Sequence, residues 1–123
     1  MIRGKKPPFV HVIAFRKTKD SPLQIRVTPE VLDMTQFVKG KQVIRWKLDT
    51  KGFEFPTDGS AIEFTSPGAE KSFGPVQVDC DNRVASVVNQ NRDGLAFAYN
   101  VRVMEQETRQ VAFLDPQIQN NTP

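Results

Sequence analysis

The stretch Gln110-Val-Ala-Phe-Leu-Asp-Pro-Gln-Ile-Gln119 describes a last β-strand that runs directly into an Asp-Pro peptide bond. Proline cannot donate to a sheet ladder, so Asp115-Pro116 is at least a strand terminator. It is also a chemically fragile bond. The Asp carboxylate can attack its own carbonyl carbon to form a cyclic anhydride, and the tertiary proline nitrogen leaves readily once it is protonated.

Alternation of side chains along this strand places Val111, Phe113 and Asp115 on one face. Because Val111 and Phe113 are apolar, we expect that face to pack on the core and to hold Asp115 at the rim of the core. Partial burial disfavours the charged form of a carboxylate. A protonated Asp115 carboxyl beside the Pro116 nitrogen would be a proton donor already in position.

Upstream of this stretch, short apolar and alternating segments separated by turn residues predict further strands. The clearest lie at residues 9–15, 23–27, 39–48, 84–88, 95–104 and 109–114, with shorter segments at 53–55, 61–64 and 76–80. One short helical turn is expected at 28–31, where proline takes the first helical position. These segments, without a convincing helix, predict an all-β fold, an antiparallel β-sandwich of seven or eight strands.

Length and composition suit one domain spanning residues 1–123, with mobile ends expected at 1–8 and 119–123. The net charge of +3 is too small to imply nucleic acid or a membrane as partner. Cys80 is the single cysteine, which excludes an internal disulfide and agrees with a reducing compartment. With no signal peptide or membrane span in the sequence, a cytoplasmic location is expected.

The final hairpin suggests a partner for Asp115. Residues of one face of the first arm are Phe97, Tyr99, Val101 and Val103. With the apolar faces matched, Asp115 is expected across from residues 97–99, and the Tyr99 hydroxyl is the nearest candidate proton partner. The alternative is that Tyr99 is a core tyrosine whose hydroxyl lies at the rim.

Other constellations predict no cofactor and no metal. His11 is the only histidine, so a copper site with Cys80 lacks its second imidazole, and Cys80 is expected to be a small buried hydrophobe. Asp79-Cys80-Asp81 lacks the glycine and distal glutamate of a calcium loop, which favours a strand-end turn.

A cationic stripe is expected on one strand face, formed by Lys39, Lys41, Arg45 and Lys47. A solvated sheet face is the favoured interpretation over anion or nucleic-acid binding. No aromatic residues interleave on that strand face, as a binder of single-stranded nucleic acid would need. We therefore expect no nucleic-acid partner.

Two runs of the sequence resemble a known family. They are Ile44-Arg-Trp-Lys-Leu-Asp-Thr-Lys-Gly-Phe-Glu-Phe-Pro-Thr-Asp-Gly59, followed by Phe64, and Gly94-Leu-Ala-Phe-Ala-Tyr-Asn-Val-Arg-Val103 with the terminal Leu114-Asp-Pro-Gln-Ile-Gln-Asn120. Together they are similar to the DP-EP family, small bacterial β-sandwich proteins named for cleaving themselves at an Asp-Pro bond. The resemblance implies an Ig-like architecture and assigns the scissile bond to Asp115 and Pro116.

Two functional hypotheses from different classes follow. In the first, the chain is a single-turnover aspartic-type endopeptidase that hydrolyses its own Asp115-Pro116 bond, without capture of the anhydride by a lysine. In the second, it is a non-catalytic Ig-like binding or self-assembly module in which Asp-Pro only ends a strand. In either case the expected partner is the chain itself, through its own C-terminal segment or an open sheet edge.

Overall fold

The computed structural model describes residues 7–121. Within this range the chain forms eleven short strands and two single 3₁₀ turns. The strands are β1 Phe9–Phe15, β2 Gln24–Thr28, β3 Val31–Asp33, β4 Gln42–Leu48, β5 Phe53–Glu54, β6 Ile62–Phe64, β7 Gln77–Val78, β8 Val84–Asn89, β9 Ala96–Glu105, β10 Val111–Leu114 and β11 Gln117–Gln119. The 3₁₀ turns are Met34–Gln36 and Ala69–Lys71.

These strands form two packed sheets, which confirms the predicted all-β sandwich. The first sheet has the order β2-β1-β4-β8-β7, and the second has the order β10-β9-β11-β3 with β5 and β6 also on β9. Both sheets are mixed rather than purely antiparallel, because β1 pairs with β4 and β3 pairs with β11 in parallel. Parallel neighbours need a long crossover, and the chain between β1 and β4 supplies one that also builds β2 and β3.

The core lies between β4 of the first sheet and β9 of the second. Ile44, Trp46 and Leu48 alternate inward along β4, as the sequence pattern indicates, and Trp46 is fully buried. Its indole N–H donates a hydrogen bond of 3.0 Å to the hydroxyl of Tyr99 on β9, and the two rings meet edge to face at 5.5 Å. Edge-to-face packing joined to a hydrogen bond ties the two sheets together at their centre.

Strands β10 and β11 lie end to end along the same edge of β9. Leu114 stands opposite Val101 and Gln117 opposite Ala98, so the register passes unchanged through Asp115-Pro116. The ladder is interrupted there because proline has no N–H to donate.

The predicted orientation of this last strand is wrong. Val111 and Phe113 are 51% and 63% exposed, and Asp115 is exposed on the same outer face. The inward side chains are instead Ala112, Leu114, Pro116, Ile118 and Asn120. Residues directly opposite each other share a face in an antiparallel pair, so the inward residues of β9 decide the phase. The apolar character of Val111 and Phe113 therefore does not indicate which face of the strand points towards the core.

Three further expectations differ from the structure. The helical turn expected at 28–31 is wrong: those residues end β2, bend and begin β3, and the 3₁₀ turn Met34–Gln36 follows β3, where the Asp33 carboxylate accepts from the Thr35 N–H. Cys80, expected to be buried, is exposed, because β7 ends at Val78 and the chain turns before the alternation reaches the cysteine.

The C-terminal end also differs from the prediction of a mobile segment at 119–123. Gln119 belongs to β11, and Asn120 and Asn121 are buried and hydrogen-bonded. At the other end, Pro8 is buried and its carbonyl accepts from the Arg45 N–H. The expectation for residues 1–6 and 122–123 lies outside the described residues.

The register of the last strand makes a direct stability prediction. Ile118→Ala removes a fully buried side chain and is expected to cost about 2–5 kcal/mol of unfolding free energy. Val111→Ala on the exposed face is expected to change that free energy by less than about 0.5 kcal/mol. Urea unfolding of both variants checks this, and a larger loss for Val111→Ala would mean that the faces are assigned in reverse.

Candidate functional site

The Asp115-Pro116 bond joins an exposed residue to a buried one. The Asp115 side chain points outward, and within residues 7–121 its carboxylate makes no hydrogen bond or ion pair. Pro116 is buried on the inner face. The expected position of Asp115 at the rim of the core is therefore wrong. The structure does not provide the partial burial on which the expectation of a protonated carboxyl rested.

The backbone beyond this bond is held on both sides. The Pro116 carbonyl accepts a 3.1 Å hydrogen bond from the Tyr99 N–H, and the Gln117 N–H donates to the Glu30 carbonyl at 2.9 Å. From there β11 lies between β9 and β3 and pairs with both. The segment after Asp115 is thus an interior strand of its sheet.

Tyr99 is close to the bond through its main chain only. Its side chain is fully buried and its hydroxyl accepts from the Trp46 indole N–H. Burial raises the pKa of the Tyr99 hydroxyl, and the hydrogen bond from Trp46 only partly offsets this. The hydroxyl that the sequence predicted to face Asp115 therefore faces Trp46, on the opposite side of the sheet from the carboxylate.

A buried asparagine pair holds the C-terminal segment against the first sheet. Asn89, at the end of β8, and Asn120 exchange two amide hydrogen bonds of 2.7 and 3.2 Å. The Asn120 amide also donates to the Asp93 carboxylate at 3.2 Å. Both asparagines are essentially inaccessible to solvent, and a buried polar pair is tolerated only because its hydrogen bonds are made.

Asn121 extends this arrangement by one residue. Its N–H donates to the side-chain oxygen of Asn91 at 2.8 Å, and its amide donates to the Met34 carbonyl at 2.9 Å. Its carbonyl accepts from the Gly94 N–H at 2.7 Å. For this region the sequence predicted only a mobile end at 119–123. The missed signal is that Asn89 and Asn120 continue the inward phase of their strands.

Asp93 connects the asparagine pair to the neighbouring loop. Burial alone would raise the pKa of Asp93, but hydrogen bonds from the Ser72 hydroxyl, the Leu95 N–H and the Asn120 amide outweigh it and lower that pKa. The charged form is therefore the one that this loop stabilises.

A second feature lies on the outer face of the first sheet, away from the Asp-Pro bond. β1 turns its alternate residues outward there. The outward side chains of β1 and its neighbours include Phe9, His11, Ile13 and Phe15 on β1, Arg26 on β2, and Arg45 and Lys47 on β4. We call this set of seven the ring–cation face.

The parallel register of β1 and β4 orders the ring–cation face. It places Phe9 beside Arg45 and His11 beside Lys47. The Phe9 and His11 rings lie 5.4 Å apart, and His11 Nδ1 is 3.0 Å from a carboxylate oxygen of Asp49. Arginine and lysine from β4 thus stand next to aromatic rings from β1.

Among the remaining candidate residues, Asp79 has a structural role. The Asp79 carboxylate accepts from the N–H groups of Arg83 and Val84, so it closes a turn at the end of β7, as the sequence indicated. Within residues 7–121 no three His, Cys, Asp or Glu side chains group together as metal ligands. No helix in the same range is long and apolar enough to cross a membrane.

Comparison with known proteins adds no family: no protein-family model matches the chain, and no curated protein is similar to it.

Removal of the asparagine pair has a predicted cost. Asn120→Ala leaves the buried Asn89 side-chain NH2 group without its acceptor, while the Asn89 oxygen still accepts from the Asn91 N–H, and we expect a loss of about 1–3 kcal/mol in unfolding free energy. Gln117→Ala, an exposed change in β11, is the control and should cost less than about 0.5 kcal/mol. Equal effects in urea unfolding would contradict a stabilising role for the pair.

Asp93 gives a prediction for the pH dependence of stability. Because its pKa is lowered in the fold, its stabilising contribution is present above its ordinary value of 3.8 and is lost as the pH falls through the lower folded value. Wild type should therefore be more resistant to urea than Asp93→Asn at neutral pH, and the gap should close at acidic pH. A gap that is constant with pH, as expected for Gln117→Ala, would contradict this.

Proposed function

We propose that this chain is a non-catalytic β-sandwich binding module, in which Asp115-Pro116 is a structural joint between two strands that share one register. The observation that carries this proposal is that the Asp115 carboxylate points outward without a hydrogen-bond or ion-pair partner among residues 7–121, beside an inward Pro116 that is buried in the core. No side chain in the described part of the chain is within hydrogen-bond reach to orient this carboxylate for proton transfer. The distinguishing feature of the Asp115-Pro116 joint is that Pro116 packs in the core.

Binding is the function that the surface favours. The ring–cation face presents aromatic and apolar side chains together with arginine and lysine on the outer face of the first sheet. Exposed residues of this kind, held on rigid strands, are typical of recognition surfaces.

Self-cleavage at Asp115-Pro116 is a second proposal, favoured by a separate observation. The exposed Asp115 side chain is free to reach its own carbonyl carbon, and Pro116 is the tertiary amide that leaves most readily. In that reaction the carboxylate displaces the Pro116 nitrogen, which takes up a proton, and water then opens the anhydride. The new chain end at Pro116 would stay bound through β11, whose pairing with β9 and β3 does not need the bond.

An intact-mass time course separates the two proposals. For the binding module we expect a single full-length mass over weeks at mildly acidic to neutral pH, measured under denaturing conditions. Asp115→Ala should show the same mass stability as wild type.

Self-cleavage predicts instead a mass for residues 1–115 that grows with time and is absent in Asp115→Ala. That result would overturn the non-catalytic assignment. A fragment of residues 1–115 that is lighter by one water than the hydrolysed fragment would indicate capture of the anhydride by a lysine, since every lysine precedes residue 115, and would contradict the predicted hydrolysis.

A further inference from the structure

The charge of the sandwich is divided between its two sheets. The five strands of the first sheet contain no aspartate or glutamate, and their charged residues are Arg26, Arg45 and Lys47. The six strands of the second sheet carry four carboxylates and one cation, namely Asp33, Glu54, Glu63, Glu105 and Arg102. The outer face of the first sheet is therefore the side of the molecule suited to a negatively charged partner.

The rings of the ring–cation face stand in a row along β1. Outward neighbours on one strand are about 6.6 Å apart along the strand, because each residue advances the strand by about 3.3 Å. Arg26 lies beside this row on β2, with its guanidinium 5.5 Å from the centre of the Phe15 ring. Arg45 and Lys47 flank the row on its other side. Phe15 thus has a cation on its β2 side, and Phe9 and His11 have cations on their β4 side.

One end of the row is an open apolar depression. It has a volume of about 290 Å³ and is lined by Pro7, Phe9, His11 and Lys47. Ring surfaces make up much of this lining, and the only charged group among the four is the Lys47 ammonium. A flat aromatic group can lie against the rings here while an attached anion meets the ammonium.

The Asp49 carboxylate at this end of the row would repel an anionic ligand, but it already has a hydrogen-bond partner. Asp49 is held by the His11 ring nitrogen at 3.0 Å. The same contact fixes the orientation of the His11 ring, whose side chain is still 58% exposed. A ring that is fixed in advance loses little conformational freedom when a second ring stacks on it.

We propose that the ring–cation face binds single-stranded nucleic acid, with bases stacked on Phe9 and His11 and phosphates paired with Arg26, Arg45 and Lys47. The proposal deepens the proposed function, on which it rests, by naming the ligand of the binding module. It replaces the expectation of no nucleic-acid partner. That expectation considered the cations of β4 alone, and the aromatic residues come from the adjacent strand.

The rings favour a single strand over other polyanions. Stacking needs an unpaired base with an accessible face, which duplex DNA does not offer. An acidic polypeptide would satisfy the cations but would gain little from the exposed rings. DNA and RNA single strands share the required chemistry, and the experiment includes both.

The test is a fluorescence anisotropy titration of the full chain with labelled oligothymidine, oligouridine and duplex DNA, each about 16 nucleotides long, the upper end of single-domain site sizes. We expect both single strands, or one of them, to bind more tightly than the duplex. The logarithm of the affinity should fall with the logarithm of salt concentration with a slope of about −2, since each of three phosphate contacts contributes about −0.7.

Matched variants separate stacking from general charge. Phe9→Ala and His11→Ala should each weaken binding by about 5- to 150-fold. Phe113→Ala removes an exposed ring from the second sheet and should leave binding unchanged. Lys47→Glu should weaken binding and flatten the salt slope, while Lys71→Glu, an equal change of charge at an exposed site outside this face, should have a smaller effect. Thermal unfolding of each variant confirms that it is folded.

Three results would overturn the proposal: no binding to either single strand, equal binding to single strand and duplex, or equal effects of His11→Ala and Phe113→Ala. Each leaves the proposed function standing if the chain stays whole in the intact-mass time course. Cleavage there, by contrast, would refute the non-catalytic assignment without any reference to nucleic acid.

Discussion

Strand β9 holds the second sheet together. β9 pairs with β5 and β6 on one edge and with β10 and β11 on the other, so every strand of that sheet except β3 depends on it directly. Its inward residues decide which residues of its partners face the core, because opposite residues of an antiparallel pair share a face. The inward Tyr99 then meets Trp46 and fixes the second sheet against the first.

The shared register of β10 and β11 on β9 explains why an Asp-Pro bond is found in the middle of an ordered segment. Pro116 cannot donate to the ladder, but its carbonyl still accepts from Tyr99, and its ring fills the inner face. Beyond it, the asparagine pair and Asn121 make the buried hydrogen bonds that keep the chain end in place. Such a pair fixes one register, because a slip would leave buried amides without partners. The segment after Asp115 thus completes the sandwich.

The two sheets divide the surface into regions of different chemistry. Carboxylates are concentrated in the strands of the second sheet, whereas the first sheet presents rings and cations on its outer face. Charge segregation of this kind directs a polyanion to one side of a protein whose net charge is small. The net charge of +3 therefore says less about partners than the distribution of charges between the sheets does.

By itself, the sequence determined the all-β class, the position of most strands and the inward faces of β4 and β9, because long alternating runs have one dominant solution. It did not determine which face of the last strand points inward, that Asn120 is buried, or which side chains lie beside Arg45 and Lys47. Short strands such as β10 offer two plausible faces, and only the strand opposite selects one. Which side chains become neighbours across strands depends on pairing between residues distant in sequence. The tertiary structure alone therefore placed Asp115 in solvent and brought the rings of β1 beside the cations of β4.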